Sequence, residues 1–557
     1  MFTVSRTLLP RTVWAGKTLL CCRTISTAYL DPIIQDFTSK IASKQPAFSL
    51  PPRQICILNQ PTQFYSLLLE MIRRAEHRIF ISSLYIGSED TEILDTITEA
   101  LGTKPSLHVY FQLDLNRSTR PGPSSTAKLL LPLLEKYPSR VNVSMFRSPS
   151  LRGIMAKVVP PRFNEGWGTW HAKVYGVDNE VIISGANLNK SYFTDRQDRY
   201  LHFKDQPLFA QYCYDFLQTA ARFSFRLLPS STPDTVTPYS DIRDGYVLQW
   251  SDADTHPHHI NKKVKNALLE FQSSRRIASQ IQLDTNEDSF KSEQQIMIFP
   301  VIQAGQFGIR EEEATLQLLF RHINAAAKQG PRKRPLLDLT SGYFSLYQPY
   351  QKLVLGSRNV DCRIVAAGPK ANGFFGSGGI SGRIPEGYTY HEKSFMRAVR
   401  KAGRLWREAA SGNFKGIQLS EWDRPGWTYH AKGIWLSSSS KSLPILTLFG
   451  STNLNSRSSH LDTELSFVMV VPSRHGRAPE EETSSSQAIV DANPDALTSI
   501  ERASGDSEEP PNTALSLRER LRHEIDNIRA NATTWKGGQR KVRFSTKFIV
   551  WLVKGML

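Results

Sequence analysis

The chain lacks the cysteine pairs that a disulfide framework or a zinc cluster requires. Only five of its 557 residues are cysteine, and no two of them form a Cys-x-x-Cys pair. This usage fits a reducing compartment. The chain also lacks any run of 18 or more apolar residues, so no membrane-spanning helix is predicted. Its glycine-rich stretch at 376–382 lacks the Gly-Lys-Ser/Thr ending of a P-loop, so ATP binding is not predicted.

Acidic residues are missing from the first 30 positions, where four basic side chains stand among serine, threonine and leucine. The first carboxylate is Asp31. This composition is typical of a mitochondrial presequence, and the alternative is a disordered basic tail. We therefore predict a presequence at 1–30 and a protein that acts in mitochondria, peripherally on the inner membrane.

Positive charge is in excess, with a formal net charge of +17. Such an excess indicates an anionic partner, which can be a nucleic acid, a phospholipid surface or a phosphorylated substrate. The basic tail from Lys536 to Leu557 contains the apolar run 548–553. Six apolar residues cannot cross a bilayer, so we expect this tail either to lie on an anionic membrane or to pack on the domain.

Strands and helices are predicted to alternate in two successive halves, which indicates an α/β fold with crossover connections. We expect two pseudo-symmetric lobes, each a mixed sheet flanked by helices, with one active site between them. The predicted segments are the presequence at 1–30, a first lobe at 31–228, a linker at 229–254, a second lobe at 255–477, a disordered acidic insertion at 478–512 and basic C-terminal helices at 513–557.

The strongest signal is a His-x-Lys unit that occurs twice. His171 and Lys173 form the first unit, and His430 and Lys432 form the second. On an extended strand the two side chains of each unit point the same way, because side chains alternate from face to face. Each unit is followed by an Asn-Leu-Asn run, at 187–189 and 453–455.

Two imidazoles in one cleft can carry out a two-step phosphoryl or phosphatidyl transfer. One neutral imidazole attacks phosphorus and forms a phosphohistidine, and the other, protonated, donates to the leaving oxygen. Lysine ammonium groups and asparagine amides can bind the phosphate oxygens, so no metal or other cofactor is expected. Each imidazole needs a carboxylate to orient it. Asp198 and Glu464 each lie nine residues after an Asn-Leu-Asn run, so we predict this role for them.

The pattern His-x-Lys-(x)4-Asp with a following Gly-Ser-x-Asn resembles the phospholipase D superfamily. Within it, the sequence resembles mitochondrial phosphatidylglycerophosphate synthases. Asp178 completes the first copy of the motif, whereas Ser437 stands at the equivalent position of the second copy. The first copy also has Ser184-Gly185 where the second has Gly450-Ser451. Three sequence segments carry the closer resemblance. They are Arg162-Phe163-Asn164-Glu165, Arg196-Gln197-Asp198-Arg199-Tyr200 and Lys370-Ala371-Asn372-Gly373-Phe374-Phe375-Gly376.

The resemblance implies that the substrates are CDP-diacylglycerol and glycerol 3-phosphate. His171 would attack the phosphatidyl phosphorus and release CMP, and His430 would act first as general acid and then as base. The resemblance and the motif spacing together give a larger set of candidate residues. The catalytic candidates are His171, Lys173, Asp178, His430 and Lys432, the phosphate-binding or orienting candidates are Asn187, Asn453, Ser451, Asp198 and Glu464, and the substrate-binding candidates are Arg117, Arg120 and Arg196.

Two alternatives remain open at this stage. One is another activity of the same superfamily, such as a cardiolipin- or phosphatidylserine-forming transferase or a phosphodiesterase acting on nucleic acid. The missing second Asp and the basic charge fit the nucleic-acid enzyme. The sequence around the motifs favours the lipid enzyme instead, so no nucleic-acid partner is expected. The other alternative is a basic scaffold on anionic membranes, which the two intact His-x-Lys pairs disfavour.

Overall fold

The structure is a computed structural model, and it describes residues 27–89, 91–122, 125–159, 161–230, 237–285, 295–329, 334–408, 414–473 and 515–552. The predicted insertion at 478–512 and residues 1–26 of the predicted presequence lie outside the described residues. Most strands belong to two ten-stranded mixed sheets, and helices cover the faces of both sheets. The expected two-lobed α/β architecture is therefore confirmed.

The strands are numbered in chain order. They are β1 (Phe48–Leu50), β2 (Ile55–Leu58), β3 (Arg78–Ser82), β4 (His108–Asp114), β5 (Val141–Phe146), β6 (Val174–Val177), β7 (Glu180–Ser184), β8 (Arg196–Gln197), β9 (Tyr200–Phe203), β10 (Phe225–Pro229), β11 (Asp241–Arg243), β12 (Tyr246–Trp250), β13 (Ile296–Ala304), β14 (Ile309–Arg310), β15 (Leu336–Ser341), β16 (Asp361–Ala367), β17 (Arg407–Glu408), β18 (Phe414–Lys415), β19 (Ile417–Trp422), β20 (Thr428–Tyr429), β21 (Lys432–Ser437), β22 (Pro444–Gly450), β23 (Glu464–Val470) and β24 (Ala532–Thr534).

The α-helices are numbered in the same way. They are α1 (Pro32–Ala42), α2 (Pro61–Arg73), α3 (Glu92–Thr103), α4 (Leu115–Ser118), α5 (Thr126–Lys136), α6 (Gly153–Val158), α7 (Ser191–Thr194), α8 (Pro207–Ala221), α9 (Asn261–Thr285), α10 (Glu311–Gln329), α11 (Gln348–Gly356), α12 (Ile384–Lys401), α13 (Ser456–His460), α14 (Leu517–Ala530) and α15 (Phe544–Leu552).

Local sequence accounts for these elements. Helix α2 begins at Pro61, whose fixed backbone angle suits a first helical position, and its buried stripe includes Phe64, Leu68 and Ile72. The central strands differ from α2 in their sequence pattern, because they are continuous apolar runs rather than stripes on one face. In β3, four of the five residues are buried, as expected for a strand whose two faces are both covered.

The internal repeat is visible in the order of the strands. In the first lobe the order is β5-β4-β3-β6-β7-β9-β2, and in the second it is β19-β16-β15-β21-β22-β23-β13. The pairings also agree in direction, with the first three strands parallel and the rest antiparallel in both lobes. Each His-x-Lys unit therefore lies at an equivalent place in its lobe, since the first ends directly before β6 and the second ends on the first residue of β21.

The two lobes share one apolar core. Phe203 of β9 stacks on Phe449 of β22 with ring centroids 5.9 Å apart, and Phe209 of α8 meets Phe467 of β23 edge-on at 5.3 Å. Burial of four aromatic rings at this contact fixes the lobes against each other. The fixed contact holds the starts of β6 and β21 in one shared cleft.

Three of the predicted boundaries are wrong. The predicted linker at 229–254 contains β11 and β12, which extend the sheet of the first lobe through β10. Buried residues of β12 alternate with partly exposed ones, so this segment forms a half-buried sheet edge despite its turn-rich composition.

The first lobe does not begin at residue 31. Helix α1 packs in the apolar core of the second lobe, and β1 pairs with β13 of that lobe. Leu30, which was assigned to the presequence, is fully buried in the same core. The folded part of the chain therefore extends to the N-terminal side of the predicted presequence boundary.

The predicted C-terminal helices contain a strand as well. Between α14 and α15, β24 pairs antiparallel with β19 and covers the edge of the second lobe's sheet. Helix α14 buries Leu521 and Ile525, and its Glu524 pairs with Arg199 of the first lobe at 2.8 Å. This part of the tail is therefore integral to the fold.

Candidate active site

Each catalytic histidine candidate is bound through its backbone to the opposite lobe. The N–H of His171 donates to the carbonyl of Thr463 at 2.9 Å, and the N–H of His430 donates to the carbonyl of Gln197 at 2.8 Å. Thr463 and Gln197 immediately precede Glu464 and Asp198 in the chain. The docking of the lobes thus brings each histidine next to the carboxylate of the other lobe.

The side chains follow this crossed arrangement. His171 Nδ1 lies 2.9 Å from Glu464 Oε2, and His430 Nδ1 lies 2.6 Å from Asp198 Oδ2. All four side chains are almost fully buried. At His171, the carboxylate on Nδ1 holds the proton there and leaves Nε2 with a lone pair for chemistry. At His430, Lys432 Nζ also lies 2.8 Å from Nδ1. The structure therefore places both predicted carboxylates on imidazoles, each across the lobe contact.

The two lysines lie beside the histidines, as the spacing of two predicts. Lys173 Nζ donates to the carbonyl of His171 at 2.8 Å, and Lys432 Nζ donates to that of His430 at 2.7 Å. Lys432 Nζ also lies 3.6 Å from Asp198 Oδ2. Burial lowers the pKa of Lys173 to about 7, and it lowers the pKa of Lys432 as well. A bound anion would favour the charged form of both lysines, so the two side chains suit a phosphate.

The two carboxylates are supported differently, and this explains the Ser-Gly order of the first motif. The hydroxyls of Ser451 and Ser458 donate to Glu464. The position equivalent to Ser451 is Gly185, where an added Cβ would lie 2.5 Å from Lys432 Nζ and 2.6 Å from Asp198 Oδ1. Glycine is required at 185 because the lysine and the carboxylate occupy the space that a side chain would take.

The predicted asparagines also line this region. Asn187 Nδ2 donates to the hydroxyl of Tyr192 at 3.2 Å. Asn453 is buried, and its Oδ1 has no hydrogen-bond partner among the described residues. The hydroxyl of Tyr192 in turn lies 3.4 Å from His430 Nε2. Tyr192 was not predicted, and its place in α7, between the first Asn-Leu-Asn run and Asp198, is the only signal in the sequence.

Comparison with known proteins agrees with this geometry. No protein-family model matches the chain. CDP-diacylglycerol–glycerol-3-phosphate 3-phosphatidyltransferase of Homo sapiens, named as mitochondrial, is 36% identical over 448 residues, which are 76% of this chain and 75% of that protein. The Schizosaccharomyces pombe enzyme of the same name is 33% identical over 463 residues, which are 79% of this chain and 89% of that protein.

The chain belongs to the family of CDP-diacylglycerol–glycerol-3-phosphate 3-phosphatidyltransferases. Its fold is also that of a solved relative, the phosphatidylserine synthase of Haemophilus influenzae, which superposes with a TM-score of 0.59 at 18% identity over 94% of this chain and 99% of that one. The family membership agrees with the resemblance that the His-x-Lys motifs indicate.

One residue of the motif lies elsewhere in this family member. Asp178 sits in the turn between β6 and β7 with a φ of 48°, and its carboxylate accepts from the backbone N–H groups of Glu76, His77 and Arg78 at 2.8–2.9 Å. The structure does not bring Asp178 to the two histidines. Its contacts fix the loop before β3 instead, and a polar side chain tolerates this left-handed turn.

The predicted arginines occupy different places in the phosphatidyltransferase cleft. Arg117 and Arg120 both pair with Glu165, and the Arg117 guanidinium lies 4.2 Å from the centre of the Tyr85 ring. A further arginine that was not predicted, Arg457, pairs with Asp462 at 3.0 Å. Each of these three arginines therefore has a carboxylate partner, although Arg117 and Arg120 share one.

One cluster in the cleft has the composition of a metal site. Single ligand atoms of His171, Asp462 and Glu464 lie within 4.8 Å of one another. However, Asp462 Oδ1 accepts from the N–H and the hydroxyl of Thr169, both at 2.9 Å, and Glu464 accepts two serine hydroxyls. Three of the four carboxylate oxygens accept hydrogen bonds from protein donors, and the fourth, Asp462 Oδ2, lies 3.0 Å from Arg457 Nε in an ion pair. The cluster is therefore already occupied by protein groups.

Proposed function

We propose that the chain transfers the phosphatidyl group of CDP-diacylglycerol to glycerol 3-phosphate, giving phosphatidylglycerophosphate and CMP. The observation that carries the proposal is the pair of buried imidazoles, each held at Nδ1 by a carboxylate of the other lobe. The family's printed name supplies the two substrates. The relatives named as mitochondrial and the basic N-terminus support a location in mitochondria.

In the first step, His171 Nε2 attacks the phosphatidyl phosphorus. A nitrogen–phosphorus bond forms, the bond from phosphorus to the bridging oxygen of CMP breaks, and CMP leaves with that electron pair. Lys173, Lys432, Asn187 and Asn453 bind the phosphate oxygens as their charge increases. The leaving oxygen belongs to a phosphate, which is a good leaving group, so this step proceeds without a proton donor.

In the second step, a hydroxyl of glycerol 3-phosphate attacks the phosphatidyl-histidine. His430 Nε2 takes the hydroxyl proton, the new oxygen–phosphorus bond forms, and the nitrogen–phosphorus bond breaks to release His171. Burial, assisted by the charge of Lys432, lowers the pKa of His430 to about 3, so the imidazole is neutral near pH 7. The neutral state is the one that the base role in this second step requires.

The proposal is tested by purifying the protein and supplying CDP-diacylglycerol with separate acceptors. We expect phosphatidylglycerophosphate from glycerol 3-phosphate, at a rate well above the rates with serine or phosphatidylglycerol. We also expect labelled CMP to exchange into CDP-diacylglycerol when no acceptor is present, because the first step is reversible. Product formation only with serine or phosphatidylglycerol would assign a different transferase activity and contradict the proposal.

The pH dependence follows from the buried imidazoles. Burial lowers the pKa of His171 below its ordinary value of about 6.5, so its neutral, nucleophilic form persists to more acidic pH. We expect kcat/KM for CDP-diacylglycerol, at saturating glycerol 3-phosphate, to change little between about pH 7 and 5.5. An imidazole with the ordinary pKa would lose about eightfold over this interval, so a loss of that size would contradict the expectation.

Membrane contact is the remaining part of the proposed function, and helix α15 supports it. Within the described residues, no helix is both long enough and apolar enough to cross a bilayer. Phe544, Phe548, Trp551 and Leu552 share one exposed face of α15, while Thr546 and Val550 are buried. Lys541 and Lys547 lie exposed nearby. An apolar face with basic residues beside it suits the surface of an anionic phospholipid bilayer.

We expect the double variant Phe548→Ser/Trp551→Ser to bind vesicles of anionic phospholipid at least about tenfold more weakly, because two large side chains no longer enter the bilayer. Co-sedimentation with such vesicles measures this. The matched control is Leu269→Ser, which removes an exposed apolar side chain of α9 and leaves α15 intact. Equal binding by the double variant and the wild type would show that α15 does not carry the contact.

A further inference from the structure

Arg196 differs from the other arginines of the cleft in its surroundings. Among the described residues, no carboxylate forms an ion pair with it, whereas Arg117, Arg120 and Arg457 all have carboxylate partners. Its Nε donates to the hydroxyl of Thr428 at 2.9 Å, and its guanidinium lies 4.4 Å from the centre of the Tyr192 ring. A hydroxyl and an aromatic ring position the cation but do not neutralise it.

The position of Arg196 is on the side of His430. Tyr192 connects the two, because its ring stacks with Arg196 and its hydroxyl lies 3.4 Å from His430 Nε2. The β8–β20 pairing between the lobes also sets Arg196 opposite Thr428, two residues before His430. A ligand that presents a hydroxyl to His430 and an anion to Arg196 therefore needs to span one tyrosine side chain.

A glycine lets the backbone approach Arg196 closely. A Cβ added at Gly373 would lie 3.2 Å from Arg196 Nη2 and 3.2 Å from the hydroxyl of Tyr343. Tyr343 also packs edge-on against the His430 ring, with centroids 5.4 Å apart. Nη2 of Arg196 and the Tyr343 hydroxyl thus converge on one small volume at the base histidine, and both are hydrogen-bond donors.

We propose that Arg196, with the hydroxyl of Tyr343, binds the phosphate of the acceptor glycerol 3-phosphate and so selects a phosphorylated acceptor over an unphosphorylated one. This inference rests on the proposed function and adds a residue-level origin for its acceptor specificity. A phosphate monoester brings up to two negative charges, which the unneutralised guanidinium matches and which neither serine nor glycerol carries. With its phosphate at Arg196, the acceptor's free hydroxyl reaches His430 across Tyr192.

The test separates the acceptor from the donor. For Arg196→Gln we expect the KM for glycerol 3-phosphate to rise about 100-fold, as is common when a buried charge pair loses one partner, and the preference over glycerol to collapse. The exchange of labelled CMP into CDP-diacylglycerol, which needs no acceptor, is expected to stay within about twofold of wild type. Retained exchange also shows that the variant is folded. Arg196→Lys keeps the positive charge but lacks the paired N–H donors of a guanidinium. Its KM for glycerol 3-phosphate is therefore expected to lie between those of the wild type and Arg196→Gln.

The matched control is Arg400→Gln, which removes an exposed arginine at the end of α12 and is expected to change neither parameter. An unchanged KM in Arg196→Gln would overturn the inference. An equal loss of exchange and transfer would also overturn it, because Arg196 would then serve CDP-diacylglycerol or the fold. If wild-type protein showed neither exchange nor transfer, the proposed function itself would fail, and this outcome is distinct from the other two.

Discussion

Replacing His171 by alanine is expected to lower phosphatidyl transfer by about 10⁵-fold, because in the proposed mechanism the variant has no nucleophile for the covalent step. CMP exchange is expected to fall with it, since exchange requires the same intermediate. His430→Ala is expected to behave differently. It lacks the base for the acceptor but keeps the nucleophile, and the departure of CMP needs no proton, so a phosphatidyl-enzyme should accumulate.

The two variants are compared with CDP-diacylglycerol labelled in its acyl chains. After denaturation, we expect label bound to the protein in His430→Ala and none in His171→Ala, with a bond that is labile in acid and stable in alkali, as for a phosphoramidate. The control is His108→Ala, which removes a half-buried histidine stacked on Tyr110 outside the cleft. Label on His171→Ala, or transfer by it at a rate near wild type, would assign the nucleophile to another residue.

The repeat was the part of the fold that the sequence could predict. The period-two alternation of a strand predicts that the two side chains of each His-x-Lys unit face the same way, and the observed strand order repeats across seven strands in each lobe. The equal offsets of Asp198 and Glu464 from the Asn-Leu-Asn runs also marked the two carboxylates that contact the histidines. These features are local, or they repeat at a fixed spacing, so a sequence records them.

What the sequence could not give is which lobe supplies each contact. Equal offsets within each half do not reveal that Glu464 crosses to His171 and Asp198 to His430, because the crossing arises from the docking of the lobes. The same holds for α1 and β1, whose apolar residues fit either core and pack on the second lobe. Asp178 differs from these cases. Its place in the motif predicts a catalytic role, but its carboxylate accepts hydrogen bonds from backbone N–H groups at a turn.

The second large effect is expected for Glu464, the carboxylate that reaches His171 from the other lobe. Glu464→Gln is expected to lower transfer by about 10³–10⁴-fold, as when the acid of a catalytic triad becomes an amide. Ser451, Ser458 and His171 Nδ1 all donate to the two oxygens of Glu464. Glutamine offers only one oxygen and adds two donors, so the imidazole turns to the tautomer that carries its proton on Nε2 and loses nucleophilicity.

The reaction step that slows in the variant distinguishes a role of Glu464 in catalysis from a role in the stability of the fold. For Glu464→Gln we expect slow formation of the phosphatidyl-enzyme and a loss of CMP exchange that matches the loss of transfer. Asp198→Asn, which disturbs His430 instead, is expected to retain exchange and to accumulate the intermediate. A second readout is pH, because removing the Glu464 charge further lowers the pKa of His171 and moves the acidic limb of kcat/KM to lower pH.

Glu312→Gln is the matched control for Glu464→Gln. Glu312 is also fully buried in the second lobe and accepts hydrogen bonds from Tyr350, Thr452 and Ser466, but it contacts neither histidine. Burial raises the pKa of Glu312 to about 7, so an amide differs little from the acid that is already half protonated near that pH. We therefore expect Glu312→Gln to keep its rate within a few-fold of wild type. Equal losses in the two glutamine variants would mean that buried charge in this lobe sustains the fold, and that Glu464 does not act on catalysis through His171.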